Sequence, residues 1–287
     1  MRTDEIFKNH LQRLKVGASQ ATAVAEISRW ISDNTTSHGK PYSYTDHEYQ
    51  KKVLDSEARE VNTRKCSQIG LTEVSVRKSL AMCGMIKNFT VIYTLPTAGF
   101  AATVSKTRVA PVIQDSPYLR ALLTETDNME VKQFSNGSFL YLKGAASSNA
   151  PISIPCDLLV HDELDFSDPL VISQYQSRLT HSRYKMKFRL STPTIPGKGI
   201  DYEFQRSKRH FNFVKCCHCC HYFVPDYYSH VRIPGYTGEL LDITKRNLHT
   251  VDYAHAFVEC PSCGGVPDLS PDYREWVCEN PDDNQVS

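Results

Sequence analysis

The sequence predicts an α/β protein: a mostly parallel sheet flanked by helices, with a small cysteine-bearing piece at the C-terminal end. Three observations predict it. Between about residue 60 and residue 190, β-branched and aromatic runs alternate with segments of helical periodicity, the order that lays parallel strands side by side with helices on the sheet faces. A glycine turn at Gly70 joins the first such run to the first such helix. Two Cys-x-x-Cys pairs follow the last run.

At 287 residues the chain has room for one large domain or two modest ones, and 40% hydrophobic with 23% charged residues is ordinary for a globular protein in water. A formal net charge of +1 gives no overall field toward nucleic acid or membrane. The charge is uneven, however. Arg183, Lys185, Lys187, Arg189, Lys198, Arg206, Lys208, Arg209 and Lys215 face only Asp201 and Glu203 in the same stretch, and the balance turns acidic after Val266. The N-terminus lacks the apolar core of a secretory signal, and Lys87 and Asn88 interrupt the best candidate for a membrane span. Of ten cysteines, six fall in two tight clusters, which points to metal rather than disulfides and to a reducing, cytoplasmic setting.

Residues 1–39 read as a helical arm. Its second helix, near Gln20 to Ser32, gathers Ala21, Val24, Ala25, Ile27, Trp30 and Ile31 on one apolar face, for a core or for a partner. Tyr42, Tyr44, Tyr49 and Gln50 precede the first strand, where they serve packing or hold an adenine ring.

Arg59 to Glu73 reads as a short strand, a tight loop and the first turn of a helix. That layout aims free backbone N–H groups and a helix dipole at one spot, where phosphates can sit. Against the usual Gly-x-x-x-x-Gly-Lys-Ser/Thr loop, Gly70 and Thr72 fall in place, Leu71 replaces the lysine and Lys65 replaces the first glycine. The lysine has moved to the other end of the loop, within reach of the same phosphates. Lys65, Cys66, Ser67, Gln68, Ile69, Gly70, Leu71 and Thr72 are therefore the candidate nucleotide-binding residues, with Arg64 as a second cation.

A helix follows over Thr72 to Ile86, burying Val74, Val76, Leu80, Ala81 and Met85. Phe89 to Leu95 reads as a buried strand bounded by Pro96, and Thr97 caps a helix running to about Val109. Val131–Phe134 and Phe139–Leu142 make a hairpin around Ser135-Asn136-Gly137-Ser138. Gly144 to Pro155 reads as a loop.

Leu158, Leu159 and Val160 read as a fully buried parallel strand ending in Asp162-Glu163. Ligands of open α/β sheets sit beyond the carboxyl ends of strands. There Asp162 would hold Mg²⁺ and Glu163 would deprotonate the attacking water. Asp165 and Asp168 read as capping or solvated residues. A last strand, Met186 to Leu190, runs into Ser191-Thr192-Pro193-Thr194, whose hydroxyls could sense a terminal phosphate. Loop, intervening βα units and an Asp-Glu strand end, in that order, give a P-loop NTPase-type core.

In order and spacing these stretches resemble the large subunit of a tailed-phage DNA-packaging terminase of the lambda-type branch. Lys65-Cys-Ser-Gln-Ile-Gly-Leu-Thr-Glu73, Tyr93-Thr-Leu-Pro-Thr97, Val160-His-Asp-Glu163, Ser191-Thr-Pro-Thr194 and the following cysteine pairs carry the likeness, over roughly Tyr42 to Cys263. The resemblance implies an ATPase that uses ATP and Mg²⁺ to move double-stranded viral DNA into a procapsid. Loop 65–72 would bind nucleotide, Asp162 and Glu163 would do the chemistry with Lys65 and Arg64, and Ser191, Thr192 and Thr194 would couple it to movement. It also implies a homo-oligomeric ring at a portal, a small DNA-recognising subunit, a host-cytoplasmic location and no membrane. Such proteins usually add a C-terminal endonuclease, which the last twenty or so residues here are too few to form, so a truncated form or a nuclease elsewhere is expected.

Cys216 to His221 and Cys260 to Gly265 hold the two knuckles, and four thiolates at this spacing suit a closed tetrahedral Zn²⁺ site. Cys216, Cys219, Cys260 and Cys263 are the chosen ligands over Cys217 and Cys220, because Cys220 stands where the second knuckle has Gly264 and the resembled family aligns that way. His218 or His221 remains a possible substitute. The remaining cysteines, Cys66, Cys83, Cys156 and Cys278, read as free and structural. The expected organisation is an arm at 1–39, a motor domain at 40–210, a zinc ribbon at 211–279 and an acidic tail at 280–287. Two rival readings stay open: a helicase-type translocase, since Asp162-Glu-Leu-Asp165 fits that pattern, and a non-catalytic zinc-ribbon DNA-binding protein, since position 71 lacks the lysine.

Overall fold

A computed structural model describes residues 27–146, 154–244 and 246–279. Most of the expected N-terminal arm, part of the 144–155 loop and the acidic tail lie outside the described residues. The chain divides into two compact units, one running to Lys208 and the other starting at Arg209.

The first unit is built on a seven-stranded sheet. Its strands are β1 (Glu60–Arg64), β2 (Thr90–Leu95), β3 (Leu123–Asp127), β4 (Val131–Phe134), β5 (Phe139–Gly144), β6 (Leu158–Asp162) and β7 (Met186–Ser191). Their spatial order is β1-β7-β6-β2-β5-β4-β3. The first five run parallel, and β4 and β3 add an antiparallel edge. The β4–β5 hairpin stands where the sequence placed it. The edge strand β3 had no alternating apolar signal to announce it.

The middle of the sheet is dry. Val91, Ile92, Tyr93, Leu158, Leu159, Val160 and Phe188 are all buried, each worth about 1.5–3 kcal/mol against exposure. Side chains alternate across β6. Leu158 and Val160 join the core that contains helix α3 (Leu71–Met85), and Leu159 joins a second core with Val171, Ile172 and Tyr175 of helix α6 (Pro169–Gln176). By the same alternation Asp162 points to the α3 face.

Helices α1 (Ile27–Asn34) and α2 (Tyr49–Leu54) pack beside α3 through polar anchors that the sequence reading missed. Helix α3 is buried almost all round, including Arg77 and Lys78. Arg77 donates to Glu73, to Thr35 Oγ1 at 2.6 Å and to the Thr36 carbonyl at 3.0 Å, with its guanidinium 4.0 Å from the Tyr42 ring centroid. Lys78 Nζ donates to the Leu54 carbonyl at 2.6 Å. A buried cation must be matched by acceptors, and these matches fix the segment before β1 to α3.

Thr97 caps helix α4 (Ala98–Val104) by accepting from the Phe100 N–H. The helix does not stop at Val109: it widens to a π turn over Ser105–Val109 and continues over Ala110–Asp115. Pro111 has no N–H to give one turn back, and the Ala110 N–H reaches instead to the Ser105 carbonyl, which widens the turn. Helix α5 (Pro117–Leu122) leads into β3, and α7 (Gly199–Gln205) follows β7.

The second unit is small. Strands β8 (His210–Lys215), β9 (Tyr222–Phe223) and β12 (Arg274–Cys278) form an antiparallel sheet in the order β9-β8-β12. A separate ladder pairs β10 (Val231–Arg232) with β11 (Phe257–Val258). Among the described residues its buried apolar side chains are few: Phe213 and Val277 in one cluster, Val214 and Phe223 with Cys216 and Cys260 in another, and Ile233 outside both. No described helix is long and apolar enough to cross a membrane.

Candidate active site and metal centre

The carboxyl ends of β1, β7 and β6 lie side by side, because Arg64 pairs with Ser191 and Asp162 with Leu190 in the parallel register. This alignment brings residues far apart in the chain to one edge. The Lys65 N–H donates to the Ser191 carbonyl at 3.0 Å, carrying the β1 ladder one residue into the loop.

From Lys65 the chain turns tightly. Gln68 (φ 63°) and Gly70 (φ 75°) are both left-handed, and Gly70 occupies the N-cap of α3 without a side-chain capping bond. The first-turn N–H groups of α3 therefore depend on another acceptor, the condition under which an anion is held. Glu73 in that turn is neutralised by Arg77 at 2.8 Å, with Arg108 also in range at 3.5 Å. Cys66, Ser67 and Gln68 are exposed, Ile69 is half-buried, and Leu71 is buried, so position 71 belongs to the core. Cys66 thus departs from the structural role expected of it, whereas Cys83 and Cys156 are buried.

Two residues brace the loop from behind. Gln50 Nε2 and the Tyr49 hydroxyl both donate to the Ile69 carbonyl, at 3.0 and 2.7 Å. Gln50 is buried and also accepts from Tyr42 at 3.3 Å. The amide and aromatics before β1 hold the loop in this structure.

Glu163 follows β6 in a left-handed conformation (φ 54°), which a non-glycine residue adopts at a cost. Its Oε1 accepts from Lys65 Nζ at 2.6 Å, with the lysine side chain 6% exposed and the glutamate 32%. Asp162 is buried. Its Oδ2 accepts from the Tyr93 hydroxyl at 2.8 Å, and its Oδ1 is buried with no hydrogen-bond partner among the described residues. Burial pushes the Asp162 carboxyl above its usual range and Glu163 adds to this, against the hydroxyls of Thr72 and Tyr93 and the charge of Lys65. An unpartnered carboxylate oxygen beside a threonine hydroxyl is a donor set suited to a hard cation such as Mg²⁺. Tyr93 stays a neutral donor, since burial and the Asp162 charge raise its pKa, and Ser75 lies 2.7 Å from its oxygen. Tyr93 was legible in part: a phenol in an otherwise apolar buried strand needs a polar partner.

Arg64 does not point its charge at Glu163. Its Nη1 donates to Asp201 Oδ1 at 2.8 Å, and its guanidinium lies 4.5 Å from the Phe204 ring centroid. Ser191 is buried at the end of β7, Thr192 is half-buried and Thr194 is exposed. Asp165 is not free in solvent: it accepts from the N–H and hydroxyl of Thr194 and, as a cap supplied from a distant turn, from the first-turn Ile200 N–H of α7. Asp168 does cap α6, accepting from the Leu170 N–H.

In the second unit, Cys216, Cys219, Cys260 and Cys263 place their sulfurs within 4.8 Å of one another. Sulfur separations of 3.7 Å for Cys216–Cys263 and for Cys219–Cys260 are far beyond a disulfide bond. A tetrahedral ion with bonds of about 2.3 Å needs edges of about 3.8 Å, so the four thiols fit zinc. The two knuckles share one backbone pattern. Cys216 N–H donates to the His221 carbonyl and Cys220 N–H to the Cys216 carbonyl, just as Cys260 donates to Gly265 and Gly264 to Cys260. Cys220 (φ 61°) and Gly264 (φ 71°) occupy the same left-handed position, which turns Cys220 out of the ligand set. Although burial opposes it, the N–H groups of Cys219 and His218 and the neighbouring thiols hold the Cys216 pKa down to about 6. The Cys217 thiol and His218 Nε2 are both directed to the Val266 carbonyl, at 3.9 and 2.9 Å, so neither belongs to the cluster.

A family model described as "Phage terminase large subunit gpA, ATPase domain" matches residues 36–279. The chain belongs to this terminase family. Its sheet resembles that of the HK97 bacteriophage large terminase, with a TM-score of 0.53 at 12% identity over 61% of this chain and 39% of that one. A Thermus phage P74-26 large terminase ATPase domain is also similar, at a TM-score of 0.47 and 17% identity over 58% of this chain and 70% of that one. No curated protein matches the chain. This terminase chain thus spans 39% of the length of the HK97 protein. The matched part of that family is its ATPase domain.

Proposed function

We propose that the chain is the ATP-hydrolysing motor of a DNA-packaging terminase, with its nucleotide site at the carboxyl ends of β1, β7 and β6. The observation that carries this reading is the meeting of Lys65 with Glu163 beside the orphaned Asp162 Oδ1. Loop 65–72 offers backbone N–H groups and Lys65 to the phosphates. Thr72 and Asp162 would hold Mg²⁺, which neutralises charge on the phosphate oxygens. Glu163 takes a proton from the attacking water as the oxygen adds to the γ-phosphorus. The bond from that phosphorus to the bridging oxygen breaks, and the electron pair leaves with ADP. For this Lys65 must exchange its bond to Glu163 for phosphate, which frees the carboxylate to act as a base. Arg64 is the second cation nearby and is engaged by Asp201.

The motor domain occupies 40–210 and a structural zinc ribbon 211–279, with the arm at 1–39. Ser191, Thr192 and Thr194 couple hydrolysis to strain on double-stranded DNA, whose backbone suits the exposed cations Arg183, Lys185, Lys198 and Arg206, whereas Arg189 is buried and paired with Glu60. The chain works in a homo-oligomeric ring on the procapsid portal, with a small terminase subunit, in the host cytoplasm. The test is ATP turnover with and without duplex DNA, wild type against Lys65→Ala. Turnover abolished by the substitution supports the reading; turnover that survives it intact overturns it.

A further inference from the structure

The segment after β7 is gripped by two aspartates from opposite sides. Asp165 sits two residues beyond Glu163, in a turn closed by the Phe166 N–H to the Glu163 carbonyl at 3.1 Å. Both of its oxygens are used: Oδ2 accepts from Thr194 N at 2.9 Å and Thr194 Oγ1 at 3.1 Å, and Oδ1 accepts from Ile200 N at 2.7 Å. Its own N–H donates to Ser191 Oγ at 3.2 Å. Asp201, the next residue after Ile200, accepts from Arg64 through Oδ1 and from Gly197 N and Gln205 Nε2, both at 2.7 Å, through Oδ2.

These bonds close a ring of constraints. Arg64 is covalently next to Lys65, Lys65 is paired with Glu163, and Glu163 is tied by one turn to Asp165. Asp165 holds Ile200, the neighbour of Asp201, and Asp201 holds Arg64. The contact at Gly199 leaves no slack. Gly199 is left-handed (φ 54°), and a Cβ there would lie 2.4 Å from Asp165 Oδ1, so only glycine admits the carboxylate.

We propose that Asp165 and Asp201 are positioning residues that report the state of the nucleotide site to segment 192–199 and α7. A phosphate group that parts Lys65 from Glu163 opens one link of the ring, which frees the Glu163 turn to shift. Either Glu163 carries Asp165 away from Thr194 and Ile200, or α7 follows it. The inference rests on the nucleotide-site reading above and deepens it by naming the physical route from site to coupling segment.

Hydrogen exchange of the full chain, with and without ADP–beryllium fluoride and Mg²⁺, tests it. Wild type should change exchange in 65–72 and also, by about threefold or more, at the Thr194 and Ile200 amides. Asp165→Asn places an amide N–H against the Thr194 N–H. It should keep the response at 65–72 and lose the one at 194–200. Gly199→Ala should do the same from the other side without altering the carboxylate, and thermal melts of both variants establish that they fold. A wild-type response confined to 65–72, or an Asp165→Asn variant that still responds at 194–200, overturns the relay. A wild type that responds nowhere refutes the nucleotide site itself, and the relay with it.

Discussion

Lys65 Nζ lies 2.6 Å from Glu163 Oε1, so the loop after β1 and the turn after β6 are joined by an ion pair. The pair keeps a buried ammonium satisfied and at the same time occupies the carboxylate that should act as base. On the proposed mechanism nucleotide would compete for the lysine, which would make the free base a consequence of binding.

Glu163→Gln tests that assignment. The amide keeps an acceptor for Lys65 but accepts no proton, so turnover should fall by about 10²–10⁴-fold while ATP binding stays within a few-fold of wild type. Turnover assays and equilibrium binding of a fluorescent nucleotide read the two separately. Unchanged turnover would remove Glu163 from the chemistry.

Gly70→Ala should deform the loop in two ways. Its left-handed φ of 75° disfavours any side chain, and a Cβ would sit 2.8 Å from Gln50 Nε2. The conformational part costs about 1–2 kcal/mol, equivalent to a fall in Tm of about 2–6 °C. Nucleotide affinity should fall as well. Adding Gln50→Ala relieves the collision but not the φ strain, so the double variant should lose less than the sum of the singles. Strict additivity in thermal melts would show that Gln50 does not brace the loop.

Lys78 makes a pH-dependent contribution. Burial among α3, Leu54 and Phe188 lowers its pKa from 10.5 to about 8. Between those values the unfolded chain holds the proton and the folded chain has released it, so stability should rise with pH from about 8 to about 10.5 and be lost again as pH falls through 8. The full shift is worth at most about 3 kcal/mol. Urea unfolding of wild type against Lys78→Met, which cannot titrate, isolates the slope. Equal slopes for the two proteins would show that the ammonium is not held in the core.

Local signals made much of this site legible. Gly70, Thr72, the Asp162-Glu163 strand end and the cysteine spacing are sequence-local, and the strands that carry them sit next to one another because parallel βα order leaves few arrangements. Asp165, Asp201 and Gln50 were not legible, and Tyr93 was legible only in part. Each acts through a partner 19 to 137 residues away, and an aspartate that ties a loop is, in sequence, indistinguishable from one in solvent. Arg77 and Lys78 defeated the periodicity argument for the same reason: their charges are buried against backbone carbonyls and ring faces that no helical pattern reveals.

The second unit should depend on its metal. Its apolar clusters are a few side chains around Phe213, Val277, Val214 and Phe223, too little to hold the strand pairs and short helical turns of 209–279 together unaided. Four thiols at tetrahedral spacing supply the missing link, and the free energy of zinc binding then becomes folding free energy. Purified chain should carry about one zinc per molecule, and Cys260→Ser should lose it. Cys220→Ser should not, because that side chain is turned out of the cluster by the left-handed backbone at position 220. Chelation should accelerate hydrogen exchange throughout 209–279 while β2 and β6, buried in the other unit, keep their protection. Zinc retained by Cys260→Ser and lost by Cys220→Ser would reverse the choice of ligands.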